Sequence, residues 1–201
     1  MNKAKFYTGL RTRVGALSQS QVDGYEAILN EFENHPSLTR PQMAYILATA
    51  YHEVDKKMQP IREYDRGGNR AYAVWKTNSK GVKYCFKDRR RTDVYVESEY
   101  PFIYYGRGFV QLTWWDNYDK MGKRLNVDLV NNPDLAMDIN IAAKVLVVGM
   151  LEGTFTGYKL GRAVNASGTN FLLARKVVNG TDANIKIAGY AQMFLSILNA
   201  A

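Results

Sequence analysis

Residues 39–54, TRPQMAYILATAYHEV, constrain the fold more than any other stretch. Thr39 is placed to cap a helix, with Gln42 three residues on to complete a capping box. Pro41 falls in the first turn, where its missing N–H costs nothing. Met43, Ile46, Leu47, Ala50 and Val54 then recur at helical spacing and give a well-buried helix that ends before Pro60. Other segments share the period. Val22, Tyr25, Ile28, Leu29 and Phe32 predict a helix over about 18–33, with Ser18 and Gln21 as its capping box. NNPDLAMDINIAAKVLVVGMLEG, with Pro133 in a first turn, predicts a central core helix too short for a bilayer. TNFLLARKVVNG predicts a helix closed by Gly180, and a last helix presents Ile187, Tyr190, Ala191, Phe194, Leu195 and Leu198 on one face.

Between these helices, residues from about 64 to 110 change character. AYAVWK, the turn-like TNSKG and VKYCF read as a small hairpin within a long irregular lobe. The expected architecture is mainly α: one domain over 1–201, with the hairpin lobe bordering a cleft. No window approaches the eighteen or so apolar residues of a membrane span, so no integral membrane association is expected. The N-terminus is interrupted by Arg11 and Arg13 and carries no unbroken apolar run, so no secretory signal is expected. Cys85 stands alone, which precludes an internal disulfide, and it reads as a small buried hydrophobe.

Lys and Arg number 27 against 19 Asp and Glu, a net charge of +8 that favours polyanionic partners. The densest basic run, KDRRR at 87–91, reads as a solvated loop, and no interleaving of cations with aromatics marks a nucleic-acid groove. Nucleic acid is therefore not an expected partner.

His52-Glu53 begins like a zinc-protease helix, but position 56, where the second histidine belongs, is Lys. With His35 the only other histidine and one cysteine, neither a metal site nor a cofactor is expected. The same scarcity argues against a histidine-activated nucleophile, and GRGFVQLT lacks the lysine of a phosphate loop. Carboxylate chemistry remains. Glu53 ends an apolar helix, where partial desolvation suits a general acid, and Glu63, beyond Pro60, lies in a polar stretch where a carboxylate stays ionised. Two carboxylates in unlike surroundings are what glycoside hydrolysis uses, although acidic residues near helix ends also cap or solvate.

AYILATAYHE, YYGRGFVQLTWWDNY, NNPDLA and ARKVVNG occur in the order and rough spacing of glycoside hydrolase family 19, the chitinase-like, lysozyme-like fold of plant-type chitinases and many phage endolysins. The chain resembles the phage members most. The resemblance implies that Glu53 is the general acid. It implies Glu63, ten residues on, as the second carboxylate by the phage pattern, with Asp88 after YCF as the alternative by the plant pattern. The glycines usual after His-Glu are replaced by Val54-Asp55-Lys56-Lys57. Thr113 matches the residue that positions the nucleophilic water, and Gln111, Asn117 and Asn179 match polar substrate-binding positions. Gly106 and Gly108 allow close backbone approach, while Gln111 and Thr113 alternate on one face of an extended segment. Tyr104, Tyr105, Trp114 and Trp115 offer flat faces to pyranose rings or belong to the core. Arg107 is either a structural anchor or an orienter of a carboxylate.

The expected function is an endolysin-like, muramidase-type hydrolase of the β-1,4 links of peptidoglycan. The resemblance implies an inverting mechanism, which requires carboxyl groups about 6.5–9.5 Å apart. The expected partner is the peptidoglycan glycan strand and the expected state a monomer, held in the host cytoplasm until release to the periplasm or wall at lysis. A chitinase, or a non-catalytic wall-binding or virion protein of the same fold, is the alternative.

Overall fold

A computed structural model describes residues 1–201. Thr39 caps α3 (Arg40–Glu53), and the reciprocal bonds of the Thr39–Gln42 capping box are both present. The same device starts α2 (Gln19–Glu33) at Ser18 and Gln21. The fold is mainly α, and the chain forms two compact units: Met1–Gln59 with Leu146–Ala201, and Pro60–Val145.

The first unit holds α1 (Lys3–Val14), α2, α3, the end of α5 (Ile139–Glu152), the short pair β6 (Val164–Asn165) and β7 (Gly168–Thr169), α6 (Phe171–Ala174) and α7 (Asn184–Ala200). Every residue of α3 from Ala44 to Tyr51 is buried, so this is a hub enclosed on all sides. It packs chiefly on α7, where Tyr51 meets Tyr190 and Phe194 edge-on. Ile187, Ala188, Ala191, Phe194, Ile197 and Leu198 form the buried face of α7, close to the predicted set. On α2, Gly24 lies against the backbone of Met58, where a Cβ would collide with the Met58 carbonyl. That contact ties the segment after α3 to its neighbouring helix.

The second unit holds β1 (Ile61–Arg62), β2 (Lys76–Thr77), β3 (Lys83–Phe86), β4 (Val94–Val96), β5 (Arg107–Gly108), α4 (Trp115–Leu125) and the start of α5. The predicted hairpin is present as β2–β3, with Thr77 opposite Lys83, and β4 extends it to an antiparallel sheet of order β2-β3-β4. β1 pairs antiparallel with β5, Ile61 opposite Gly108. Tyr95, Tyr104 and Tyr118 form an edge-to-face chain through the core of this unit. Cys85 is buried, and its thiol bonds the carbonyl of Ala71.

Four elements depart from the sequence reading. Pro133 opens a separate 3-10 turn, Pro133–Met137, and the core helix α5 begins only at Ile139, after the extended Asp138. α1 and α4 are helices where none is read, because α1 buries only Phe6, Tyr7 and Leu10 and α4 only Tyr118, Met121 and Gly122. The segment expected to close on Gly180 forms one α turn, α6, and a 3-10 turn that ends at Val177. Gly180 does not adopt the left-handed conformation of a C-cap.

Candidate active site

Glu53 is the last residue of α3, and the helix delivers it to the edge of the first unit's core. Its Oε1 accepts a hydrogen bond of 2.6 Å from Nη1 of Arg175, a side chain only 4% exposed. Arg175 is held in turn by Nε donating to the carbonyl of Asp182 at 2.9 Å. The neighbourhood of Glu53 is therefore a buried cation, where the sequence reading supposed an apolar flank. Asn179 follows in the same turn: its N–H donates to the Arg175 carbonyl, while its exposed side chain accepts from the Gly180 N–H. Beside Glu53, burial lowers the pKa of His52 against the opposing pull of the Glu53 carboxylate, so its imidazole is held neutral.

Directly after α3, Asp55 (φ 47°), Lys56 (φ 64°) and Met58 (φ 50°) adopt the left-handed conformation. Two of these stand among the residues that replace the glycines expected from the resemblance. The backbone keeps the turn although its side chains disfavour it.

Glu63 belongs to the second unit, immediately after β1. Its N–H donates to the Gly106 carbonyl at 2.7 Å, and the Gly106 N–H donates back to Glu63 Oε2 at 2.9 Å. The Tyr72 hydroxyl donates to Oε1 at 2.7 Å, and Nε of Arg70 lies 3.5 Å from the same oxygen. Burial, and then the bond to Glu63, push the Tyr72 phenol far up, which keeps it a donor. Gly106 leaves room for both side chains that meet it. A Cβ would lie 2.8 Å from Gln111 Oε1 and 3.1 Å from Glu63 Oε2. Past Glu63, Tyr64 stands out 95% exposed, ahead of left-handed Asp65 and Arg66.

GRGFVQLT is a tight reversal and not the extended segment expected. Arg107 and Leu112 exchange backbone bonds, with Gly108 at φ 87° and Gln111 at φ 55° between them. Gln111 therefore does not alternate with Thr113 on one face. Its amide donates to the carbonyls of Ile61 and Gly108, locking the reversal to β1, the strand that leads into Glu63. Gly108 meets the Ala136 carbonyl so closely that a Cβ would stand 2.9 Å from it.

Of Arg107's two readings, the structure shows the anchor. The side chain is 5% exposed, Nε donates to Asp134 at 2.8 Å, and Nη1 reaches the Ile103 and Tyr105 carbonyls and the Tyr118 hydroxyl. Burial disfavours the Asp134 carboxylate, but bonds from Arg62 and Arg107 outweigh it and hold its pKa below the usual range. Tyr104 is fully buried, donates to the Val130 carbonyl and packs on Tyr95 and Tyr118, which leaves no face for a sugar. Tyr105 is 6% exposed beneath the Arg107 guanidinium. Thr113, Trp114 and Asn117 are half-buried, with Trp114 edge-on to Tyr72 at the start of α4. Asp88 accepts from the Arg91 N–H in its own turn.

The structure thus gathers Glu63, Gly106 and Gln111 around one reversal, and Glu53 and Asn179 around Arg175. Arg175, Tyr72 and Asp134 escaped the sequence reading. Arg175 and Asp134 lie inside the quoted stretches ARKVVNG and NNPDLA, but nothing in one sequence tells which carboxylate or guanidinium each will meet.

A family model described as chitinase class I of glycoside hydrolase family 19 matches residues 35–151. Endochitinase A2 of Pisum sativum is 43% identical over 58 residues, 26% of this chain and 18% of that protein. The Inactive chitinase-like protein 1 of Hevea brasiliensis is 40% identical over 72 residues, 32% of this chain and 23% of its own length. The chain thus matches only about a fifth of the length of these curated relatives. The crystal structure of chitinase C from Streptomyces griseus HUT6037 superposes with a TM-score of 0.61 at 18% identity, over 98% of this chain and 76% of that one.

Proposed function

The chain belongs to glycoside hydrolase family 19, and from that premise we propose that it hydrolyses the β-1,4-glycosidic bonds of peptidoglycan glycan strands by an inverting mechanism. Glu53 is the general acid and Glu63 the general base that deprotonates the attacking water, with Thr113 helping to hold that water. The observation that carries the reading is the Glu63 cradle. Two stretches 43 residues apart are tied together by the carboxylate itself, through Gly106 N–H on Oε2, with Tyr72 on Oε1. A carboxylate fixed by donors on both oxygens, each with a lone pair to spare, suits a group that must orient a water and take its proton.

On Glu53 the two oxygens differ. A guanidinium only donates, so Oε1, facing Arg175, is committed as an acceptor. The proton delivered to the leaving oxygen therefore rides on Oε2.

The choice of peptidoglycan rests on charge: the protein carries +8, and Arg89, Arg90 and Arg91 are exposed, which suits an anionic wall. On this reading the enzyme acts as a monomer that reaches the wall when the host lyses. The plant endochitinase relative favours chitin as the second reading, and the inactive Hevea relative keeps a non-catalytic binder in view. Turbidity loss of permeabilised Gram-negative cells, run beside release of chitooligosaccharides, decides between the substrates. Glu53→Gln and Glu63→Gln are expected to abolish lysis, whereas Asp88→Asn retains it. Full lysis by Glu53→Gln overturns the assignment, and loss with Asp88→Asn but not Glu63→Gln moves the base to Asp88.

A further inference from the structure

We propose that a cavity in the second unit, on the flank of α4, is a non-catalytic binding site for β-1,4-linked N-acetylhexosamine chains. The cavity measures about 680 Å³, within the range of small-molecule sites, and of the candidate catalytic and substrate-binding residues only Trp115 lines it. Its walls are α4 and the 126–131 loop, with Tyr100 and Trp115 paired edge-to-face at 5.4 Å.

The loop is held in shape without a ligand. Asn126 takes the left-handed conformation that ends α4, and the Val127 N–H donates to the Gly122 carbonyl at 2.9 Å. Gly122 permits that approach, since a Cβ there would lie 2.8 Å from the Val127 carbonyl. The Tyr104 hydroxyl fixes the loop from the core by donating to the Val130 carbonyl at 2.8 Å. A preformed wall lowers the ordering cost of binding.

The chemistry of the walls selects the ligand. Asp119 is paired with Lys123 at 2.7 Å, and Asp128 accepts from both the backbone N–H and the amide of Asn131. The charges of the wall are thus satisfied among themselves, and no lone cation or carboxylate is left to select an ion. Two aromatic rings, the amide of Asn126 and the side-chain carbonyl of Asn131 remain, the Asn131 NH2 being committed to Asp128. A pyranose offers C–H faces to such rings and equatorial hydroxyl and acetamido groups to such amides. Trp115 adds a second observation: its ring lines the cavity, and its buried indole Nε1–H has no acceptor among the protein's own groups. Its ring carries the Lys87 ammonium 4.7 Å from its centroid.

The ligand class rests on the glycan-hydrolase reading, and it is shared by chitin and by the glycan of peptidoglycan. The site would hold polymer on the enzyme independently of turnover. The test is a titration of the full chain followed by ¹H–¹⁵N spectra of its three tryptophan indoles, with Trp115 assigned by Trp115→Phe. One arm uses chitotriose and the other the N-acetylglucosamine–N-acetylmuramic acid repeat. Expected is a saturable shift of the Trp115 indole in at least one arm, the responding arm naming the source. Tyr100→Ala should weaken it about tenfold, the factor that ~1.4 kcal/mol of ring contact represents. Hydrolysis of a short soluble oligosaccharide should be unchanged in that variant. Asn131→Ala serves as the second variant should Tyr100→Ala not fold. Glu53→Gln should lose hydrolysis and keep the shift, so failure of the catalytic reading and failure of this one are told apart. A Trp115 indole that moves in neither arm, or moves equally in wild type and both variants, overturns the proposal.

Discussion

Arg175→Met isolates the interaction that holds the candidate acid. The guanidinium is 4% exposed and the Glu53 side chain 16%, so their 2.6 Å contact is shielded from solvent. Deleting one member of a buried pair costs about 3–5 kcal/mol, because the other charge is left without compensation. Glu53 keeps some access to water, which places the variant near the lower limit, and the lost bond to the Asp182 carbonyl adds roughly 1 kcal/mol. The sum is about 4 kcal/mol, or a Tm lower by roughly 8–16 °C for a chain of this size. Glu53→Gln keeps an acceptor for Arg175 and loses only the charge, so it should cost about 1–2 kcal/mol. Urea unfolding of wild type, the two single variants and the double variant closes a thermodynamic cycle. A coupling of about 2 kcal/mol is expected, and additivity within about 0.5 kcal/mol would refute the reasoning.

The Glu63 cradle makes Gly106→Ala a test of positioning. The added Cβ displaces Gln111 Oε1 and Glu63 Oε2, so kcat should fall by about 10²-fold with KM little altered; an unchanged kcat would detach Gly106 from the site. Lys56→Gly relieves a left-handed residue at φ 64° and should stabilise by about 0.5–1 kcal/mol in urea unfolding, the relief exceeding glycine's greater unfolded-state entropy. A loss of stability would mean that the Lys56 ammonium above the Tyr51 ring contributes more than the strain. Asp134 has a depressed folded-state pKa, so its contribution is present above the ordinary carboxylate value and lost as pH falls through the folded one. Asp134→Asn should therefore cost about 1–2 kcal/mol near neutrality, tempered by its 55% exposure, and its unfolding midpoint should converge on wild type in strong acid. A gap that persists there would show that the cost is not electrostatic.

What was legible in the sequence follows from the range of each interaction. The caps at Ser18 and Thr39 are local, three residues across, and both form as read. Periodicity found α2, α3 and α7 because each buries a wide face, and it missed α1 and α4, whose buried sets are three residues each. In the candidate site, residue type singles out Glu53 and Glu63 as carboxylates, but their partners are 122 and up to 43 residues distant. Aromatics were the least legible. Tyr104 and Trp114 look alike in a string, and only the packing around Tyr95 and Tyr118 commits Tyr104 to the core. Gln111 illustrates a different limit: a left-handed backbone turns its NH2 onto the carbonyls of Ile61 and Gly108, a placement that residue type alone does not reveal.

The two carboxylates are restrained by physically different means, and this bears on how the sequence can vary around them. Glu53 depends on one buried guanidinium, a partner whose planar fork, held by the Asp182 carbonyl, a lysine does not reproduce. Glu63 depends on a backbone N–H and a phenol, of which the first does not depend on side-chain identity at Gly106 except that a Cβ there would crowd Gln111 Oε1 and Glu63 Oε2. The turn between α3 and β1 can accordingly drift in sequence, as the left-handed Asp55 and Lys56 show, provided that the backbone path survives. Drift at Arg175 or Gly106 is different in kind. A change at either disturbs the restraint on a candidate catalytic carboxylate while leaving the carboxylate in the sequence, so on the proposed mechanism an intact Glu53 and Glu63 would be necessary for hydrolysis without being sufficient for it.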